Sequence, residues 1–283
     1  MIEEGIINFN KNRAYVEKIL EQTKNEKDLT PFPPFHERGD VKPTPSELEK
    51  MLKDTLSSLT FKIEPKLTEE KIKIGILRGH GAQATKQFFD KFKNVESEII
   101  GEVELENLAT LDKYDCLFIM QGNITENAYF INIPHYVKEG GRGVLFQHDL
   151  IGYVRSPFGQ RTPFPEIVKY GKDRVDVKYV KDGDLLTAVV DHPVLNPLKK
   201  GDSGRHLYYD HITAIPGDEG IVLLIDTNKS PVVVAGLSGK GKVIFDGTIN
   251  LHLDETEKEL SGINAIITKG AVEWFTGKKL IEK

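Results

Sequence analysis

The chain has 283 residues, of which 39% are hydrophobic and 29% charged, with a formal net charge of −5 and a single cysteine. That length admits one large domain or one domain with an appendage, and the acidic balance argues against a general nucleic-acid binder, which needs a basic surplus to meet phosphate. Cys116 has no second cysteine to pair with, so no internal disulfide is expected and a reducing, cytoplasmic compartment is the natural home. No run approaches the ~20 apolar residues that cross a bilayer, and the acidic start of the chain does not read as a secretory signal.

Residues 1–70 differ in texture from the rest and read as a helical and Pro-rich extension. Residues 14–22 predict a short helix with Val16, Ile19 and Leu20 on one face. Pro31, Pro33 and Pro34 then fix φ and remove backbone donors, so residues 31–40 predict an extended arm. A second helix has a clear start: Thr44 to cap, Pro45 in the first turn and Glu47 to complete a capping box. Leu48, Leu52, Leu56 and Leu59 stripe one face of it, and that stripe must bury against the main domain or against a second copy as a homo-oligomer contact.

From Lys71 the period changes to that of an α/β domain spanning 71–283. Residues 71–77 predict a strand and 82–92 a helix. Residues 115–120 and 143–146 are continuous apolar strands, as in a sheet covered on both faces. Residues 127–139 predict a helix between them, ending at Gly140-Gly141. The middle of the chain reads as loop-rich, with a short strand over 175–180. Strands return at 221–225, 231–235 and 242–245, the last two joined by a glycine hairpin, and residues 263–275 predict a closing helix. Alternation of this kind implies right-handed crossovers and a mostly parallel sheet flanked by helices.

Several of these phrases together point to a family. Gly79-His80-Gly81 after the first strand, residues 111–117, residues 136–145, the turn Asp191-His192-Pro193-Val194, the glycine hairpin and the closing helix occur in an order that resembles the class I glutamine amidotransferase-like superfold, in its ThuA-like (trehalose-utilisation) branch. The resemblance spans about residues 71–278 and implies a flavodoxin-like α/β fold. Glutaminase members place a nucleophilic cysteine at a sharp strand-to-helix elbow, which in this sequence falls on His148, give or take one residue. Cys116 lies mid-strand, where a thiol is a small buried hydrophobe. The resemblance therefore does not carry glutaminase activity over, and it implies a link to carbohydrate metabolism.

In open α/β sheets ligands bind beyond the carboxyl ends of the strands. Those ends carry His80, then Gln121, then Gln147, His148 and Asp149, and finally the stretch from Asp246 to His252. Histidines and aspartates on one rim could supply a general acid and base to a sugar hydroxyl or could ligate a divalent metal. No H-x-x-x-H spacing selects the metal. A second constellation, residues 206–211, would as one strand place His206, Tyr208 and Asp210 on one face and His211 on the other, an aromatic and acidic surface suited to a sugar ring. Arg155, in the loop after the elbow, could meet an anionic ligand. The expected catalytic residues are thus His148, Asp149 and His80, with Gln121, Gln147, Arg155, Tyr208, Asp210, His211 and His252 as ligand contacts and a sugar-like small molecule as partner. The competing reading is a non-catalytic scaffold or ligand sensor that works through its N-terminal arm.

Overall fold

The structure is a computed structural model that describes residues 65–176, 184–206, 208, 210–251 and 260–283. The helices expected at 14–22 and from Thr44 onward, the Pro-rich arm and His252 lie outside the described residues.

A nine-stranded sheet runs in the order β2-β1-β3-β4-β11-β10-β9-β6-β7. Its core is parallel: β1 (Ile72–Leu77) lies between β2 (Val95–Ile100) and β3 (Cys116–Ile119), followed by β4 (Gly143–Gln147) and β11 (Gly241–Asp246). The fold is flavodoxin-like α/β, as expected, with an antiparallel extension through β10 (Pro231–Ser238), β9 (Ile221–Ile225), β6 (Asp184–Ala188) and β7 (Ser203–His206). The extension follows from short connections, since a tight turn such as that around Gly239-Lys240 can only reverse the chain.

Side chains of the core strands alternate between two apolar layers. Ile74, Cys116, Phe118, Leu145 and Ile244 point to one layer, and Leu117, Ile119, Val144, Phe146 and Phe245 to the other. The first layer is covered by α1 (Ala82–Phe89) and by α5 (Gly262–Thr276), which ends at Gly277 with φ 67°. The short helices α2 (Glu102–Leu105) and α3 (Leu108–Leu111), a π-turn over Ala128–Asn132 and α4 (Ile133–Lys138) flank the second. Ahead of β1, Lys66 already belongs to this domain: its N–H donates to Gly277 and its carbonyl accepts from Lys279, both at 2.8 Å.

The middle of the chain holds more strand than its composition suggests. β5 (Val168–Asp176) takes in the first two positions of the strand expected at 175–180, the rest of which lies outside the described residues, and pairs with β8 (Asp210–Pro216) as a separate antiparallel ribbon. This breaks the single strand expected over residues 206–211: His206 ends β7 in the large sheet, and Asp210 begins β8 in the ribbon. The ribbon docks on the sheet at Gly247, whose carbonyl accepts the Ile212 N–H at 2.9 Å. A Cβ at Gly247 would stand 1.8 Å from the Ile212 oxygen, so only glycine permits this approach.

Candidate functional site

The elbow after β4 carries the most unusual backbone of the site. His148 has φ 53°, one of two positive values among the described non-glycine residues, at the first position of a 3₁₀ turn over His148–Ile151. A non-glycine residue in this region costs energy and persists only where its surroundings fix it. Those surroundings are carboxylates on both sides of the ring. His148 Nε2 lies 3.2 Å from Asp210 Oδ1, and Nδ1 lies 3.2 Å from Asp149 Oδ1. The ring is buried, with 4% of its surface exposed.

The aspartates are themselves held. Asp149 Oδ2 accepts from Gln121 Nε2 at 2.7 Å, and Asp210 Oδ2 pairs with Arg174 Nε, which also lies 3.1 Å from Asp176. Tyr208, half-buried, meets His148 edge-on with centroids 6.4 Å apart. The result is a chain of alternating charge from Gln121 at the end of β3, through the elbow, into the ribbon. Burial alone would lower the His148 pKa, but the flanking Asp149 and Asp210 outweigh it and hold the imidazole above its usual range. For Asp149 burial works upward, and the contacts to His148 and Gln121, with the charge of Arg174, hold it below the usual carboxylate range. The site thus pairs a carboxylate whose ionised form is favoured with an imidazole whose protonated form is favoured.

Beneath the elbow lies a buried polar network. Gln147 Nε2 donates to Asp246 at 3.2 Å and to Asn250 at 3.0 Å, and Asn250 Nδ2 donates to Thr85 and Thr268. Asn264 donates to Thr248, Ile249 and Asn250 and faces His206 Nδ1 with its oxygen. Burial raises the Asp246 carboxyl, against the hydrogen bonds from Thr248 and Gln147. His206 is pulled down to about 4, chiefly by burial, while Asn264 and the Asp210 carbonyl draw it the other way. The network fixes the ends of β4 and β11 and leaves Gln147 fully buried, so Gln147 supports the elbow from below and lines no cleft.

The open surface is at the switch point between β1 and β3, where the sheet order reverses. A cleft of about 650 Å³ is lined there by Arg78, His80, Glu102, Gln121 and Asn123, among others. Two loops are pressed together at its floor: the His80 N–H donates to Gln121 O at 2.8 Å, and a Cβ on Gly79 or Gly122 would come within 2.3 or 2.1 Å of the facing carbonyl. Glycine at both positions lets the loops close and presents His80 and Gln121 from a rigid base.

Of the residues singled out from sequence, His80 (through its backbone), Gln121, Asp149 and His148 are linked in this way, Asp210 joins from the ribbon and Tyr208 from the connection between β7 and β8. Three others stand elsewhere. His211 is buried against Asp226, 3.2 Å away, because β8 turns alternate side chains to opposite faces. Arg155 is exposed and enters none of these contacts, and Gln147 is sealed below. Arg174 was not legible: it falls in the part of the chain that reads as loop-rich, just before the strand expected at 175–180. Among the described residues no three His, Cys, Asp or Glu side chains are arranged to hold a metal ion. The donor set around His148 does not fit one either, since Arg174 occupies the second oxygen of Asp210.

No family model and no curated protein matches the sequence. Among solved structures the chain is similar to a cytoplasmic protein from Salmonella typhimurium at 17% identity and a TM-score of 0.54, covering 75% of this chain and all of that one. A second cytoplasmic protein, from Salmonella typhimurium LT2, gives 16% identity and 0.54 over 72% of this chain and 99% of its own. A ThuA-like protein from Bacteroides uniformis gives 15% identity and 0.51, over 74% of this chain and 92% of its own. Likeness at these identities is likeness of fold: the chain shares the fold of that ThuA-like protein.

Proposed function

We infer that this protein binds a small polyhydroxylated, carbohydrate-type molecule at the cleft beyond β1 and β3, with Asp149 and His148 as its acid–base groups, and that it does no glutaminase chemistry. The observation that carries this reading is the elbow. The position that would hold a nucleophile holds His148, backed by Asp210 and Arg174 and connected through Asp149 and Gln121 to the cleft. A carboxylate accepts from ligand hydroxyls, and the imidazole behind it, whose affinity for a proton is raised, can take one up for transfer. The only thiol, Cys116, is fully buried in β3, and burial pushes it far above the range in which a thiolate forms. A cytoplasmic location accords with the names of the two Salmonella typhimurium structures and with the single unpaired cysteine.

A thermal-shift screen of neutral sugars and sugar acids tests it. A sugar at a hundred times its dissociation constant stabilises by about 2.7 kcal/mol, which for a domain of this size raises Tm by roughly 5–10 °C. Asp149→Asn should abolish that rise, and glutamine should release no ammonia with the wild-type chain. A screen in which no sugar moves Tm, or in which Asp149→Asn responds as the wild type does, would overturn the reading.

A further inference from the structure

One carboxylate stands between the cleft and the elbow. Asp149 accepts from the Gln121 amide at 2.7 Å through Oδ2 and brings Oδ1 to 3.2 Å from His148 Nδ1. The second contact is close but out of line: His148 Nδ1 is buried and has no hydrogen-bond partner among the described residues. A buried ring nitrogen left in this way is costly, and an aligned bond to a carboxylate is among the stronger ones a protein makes. A small rotation of Asp149 would align it. The short bond to Gln121 is what opposes that rotation, and the backbone from which Gln121 reaches is tied to His80 across the closed loops.

We propose that Gln121 is a positioning residue that holds Asp149 off His148, and that a ligand oxygen which takes the Gln121 amide releases Asp149 onto Nδ1, so that binding draws a proton onto His148. This rests on the cleft being the ligand site, and it narrows the ligand to one that presents a carbonyl or hydroxyl oxygen to Gln121. Among the described residues the other charged and titratable groups around the imidazole are Asp210 from β8, Arg174 and Asp176 from β5, Tyr208 between β7 and β8, His206 from β7 and Asp246 from β11. They act on the ring whichever way Asp149 points, and none of them touches the bond between Gln121 and Asp149. Because the two flanking carboxylates already favour the charged ring against its burial, the coupling operates above the ordinary histidine value of 6.5. Affinity should therefore rise as pH falls through that window.

The test needs no ligand. In the full-length protein, ¹⁵N resonances of the histidine rings are followed through a pH titration, with His148→Gln assigning the His148 signals. Gln121→Met keeps the bulk and removes the donor, and it should raise the His148 midpoint by about one pH unit while moving Nδ1 toward the shift of a hydrogen-bonded nitrogen. Asp149→Asn should lower the midpoint, and in that background Gln121→Met should change nothing. Gln121→Ala serves if the Met variant fails to fold. An unchanged or lower midpoint in the Gln121 variant would mean that Gln121 only supports Asp149, and the proposal would be wrong. The same rise in the Asp149→Asn background would also overturn it. Since no sugar is present, a failed ligand screen and a failed titration remain separate results.

Discussion

Lowering the pH from 7 to 4 should weaken the α/β domain by about 3 kcal/mol through one side chain, His192. His192 caps the 3₁₀ turn Pro193–Leu195, with Nδ1 accepting the Val194 N–H at 3.2 Å, and its ring meets Trp274 with centroids 5.0 Å apart. Burial first, and the nearby Lys242 charge second, hold its pKa down to about 3 against a usual 6.5. The folded chain keeps the ring neutral while the unfolded chain protonates it. Stability is therefore full above pH 6.5 and falls as pH drops toward 3, by about 1.4 kcal/mol per unit.

His192→Asn keeps an acceptor for the Val194 N–H and removes the titration. It should cost about 1 kcal/mol at pH 7 for the lost ring contact. Its stability should then cross that of the wild type near pH 6, by roughly 0.7 unit of linkage below the usual histidine value. Urea unfolding at several pH values measures both curves. Trp274 is the single tryptophan, so its fluorescence reads the event beside the ring. Parallel curves for the two proteins would show that His192 is not the acid-sensitive group.

Asp210→Ala should cost about 3–5 kcal/mol, because removing one member of a buried ion pair strands the others. Asp210 is 1% exposed and stands between His148 and Arg174. Arg174 retains Asp176 and partial exposure to water, so the cost falls mainly on His148. The pH dependence distinguishes this from a packing defect. In the wild type the His148 pKa is raised above 6.5, so its contribution is complete below that value and is lost as pH rises through the folded value. The deficit of the variant should then be largest below pH 6.5 and shrink as pH rises through the folded value, where the imidazole loses its charge and needs no counter-charge. A deficit constant across that range would assign the loss to the cavity alone.

The parallel core and the elbow were legible in the sequence because each leaves a local mark. Cys116–Ile119 and Gly143–Gln147 are apolar runs of strand length, and a strand end followed by His148-Asp149 is visible without a structure. The ribbon was not legible. Its strand β5 is mostly charged, and what buries Asp210 is an arginine 36 positions earlier in the chain, a pairing that no periodicity encodes. The apparent aromatic strand at 206–211 misled for a related reason: strand propensity does not record where a chain leaves one sheet for another.

Cys116 has a use unrelated to reactivity. It sits at the first position of β3, fully buried, paired with β1 on one side and β4 on the other, and it is the only thiol in the chain. An alkylating reagent can reach it only when the centre of the sheet comes apart, since fraying of the edges leaves β3 covered. The labelling rate of the unmodified protein is therefore a built-in clock for whole-domain opening. It needs no engineered probe, and each variant discussed above can be timed against it.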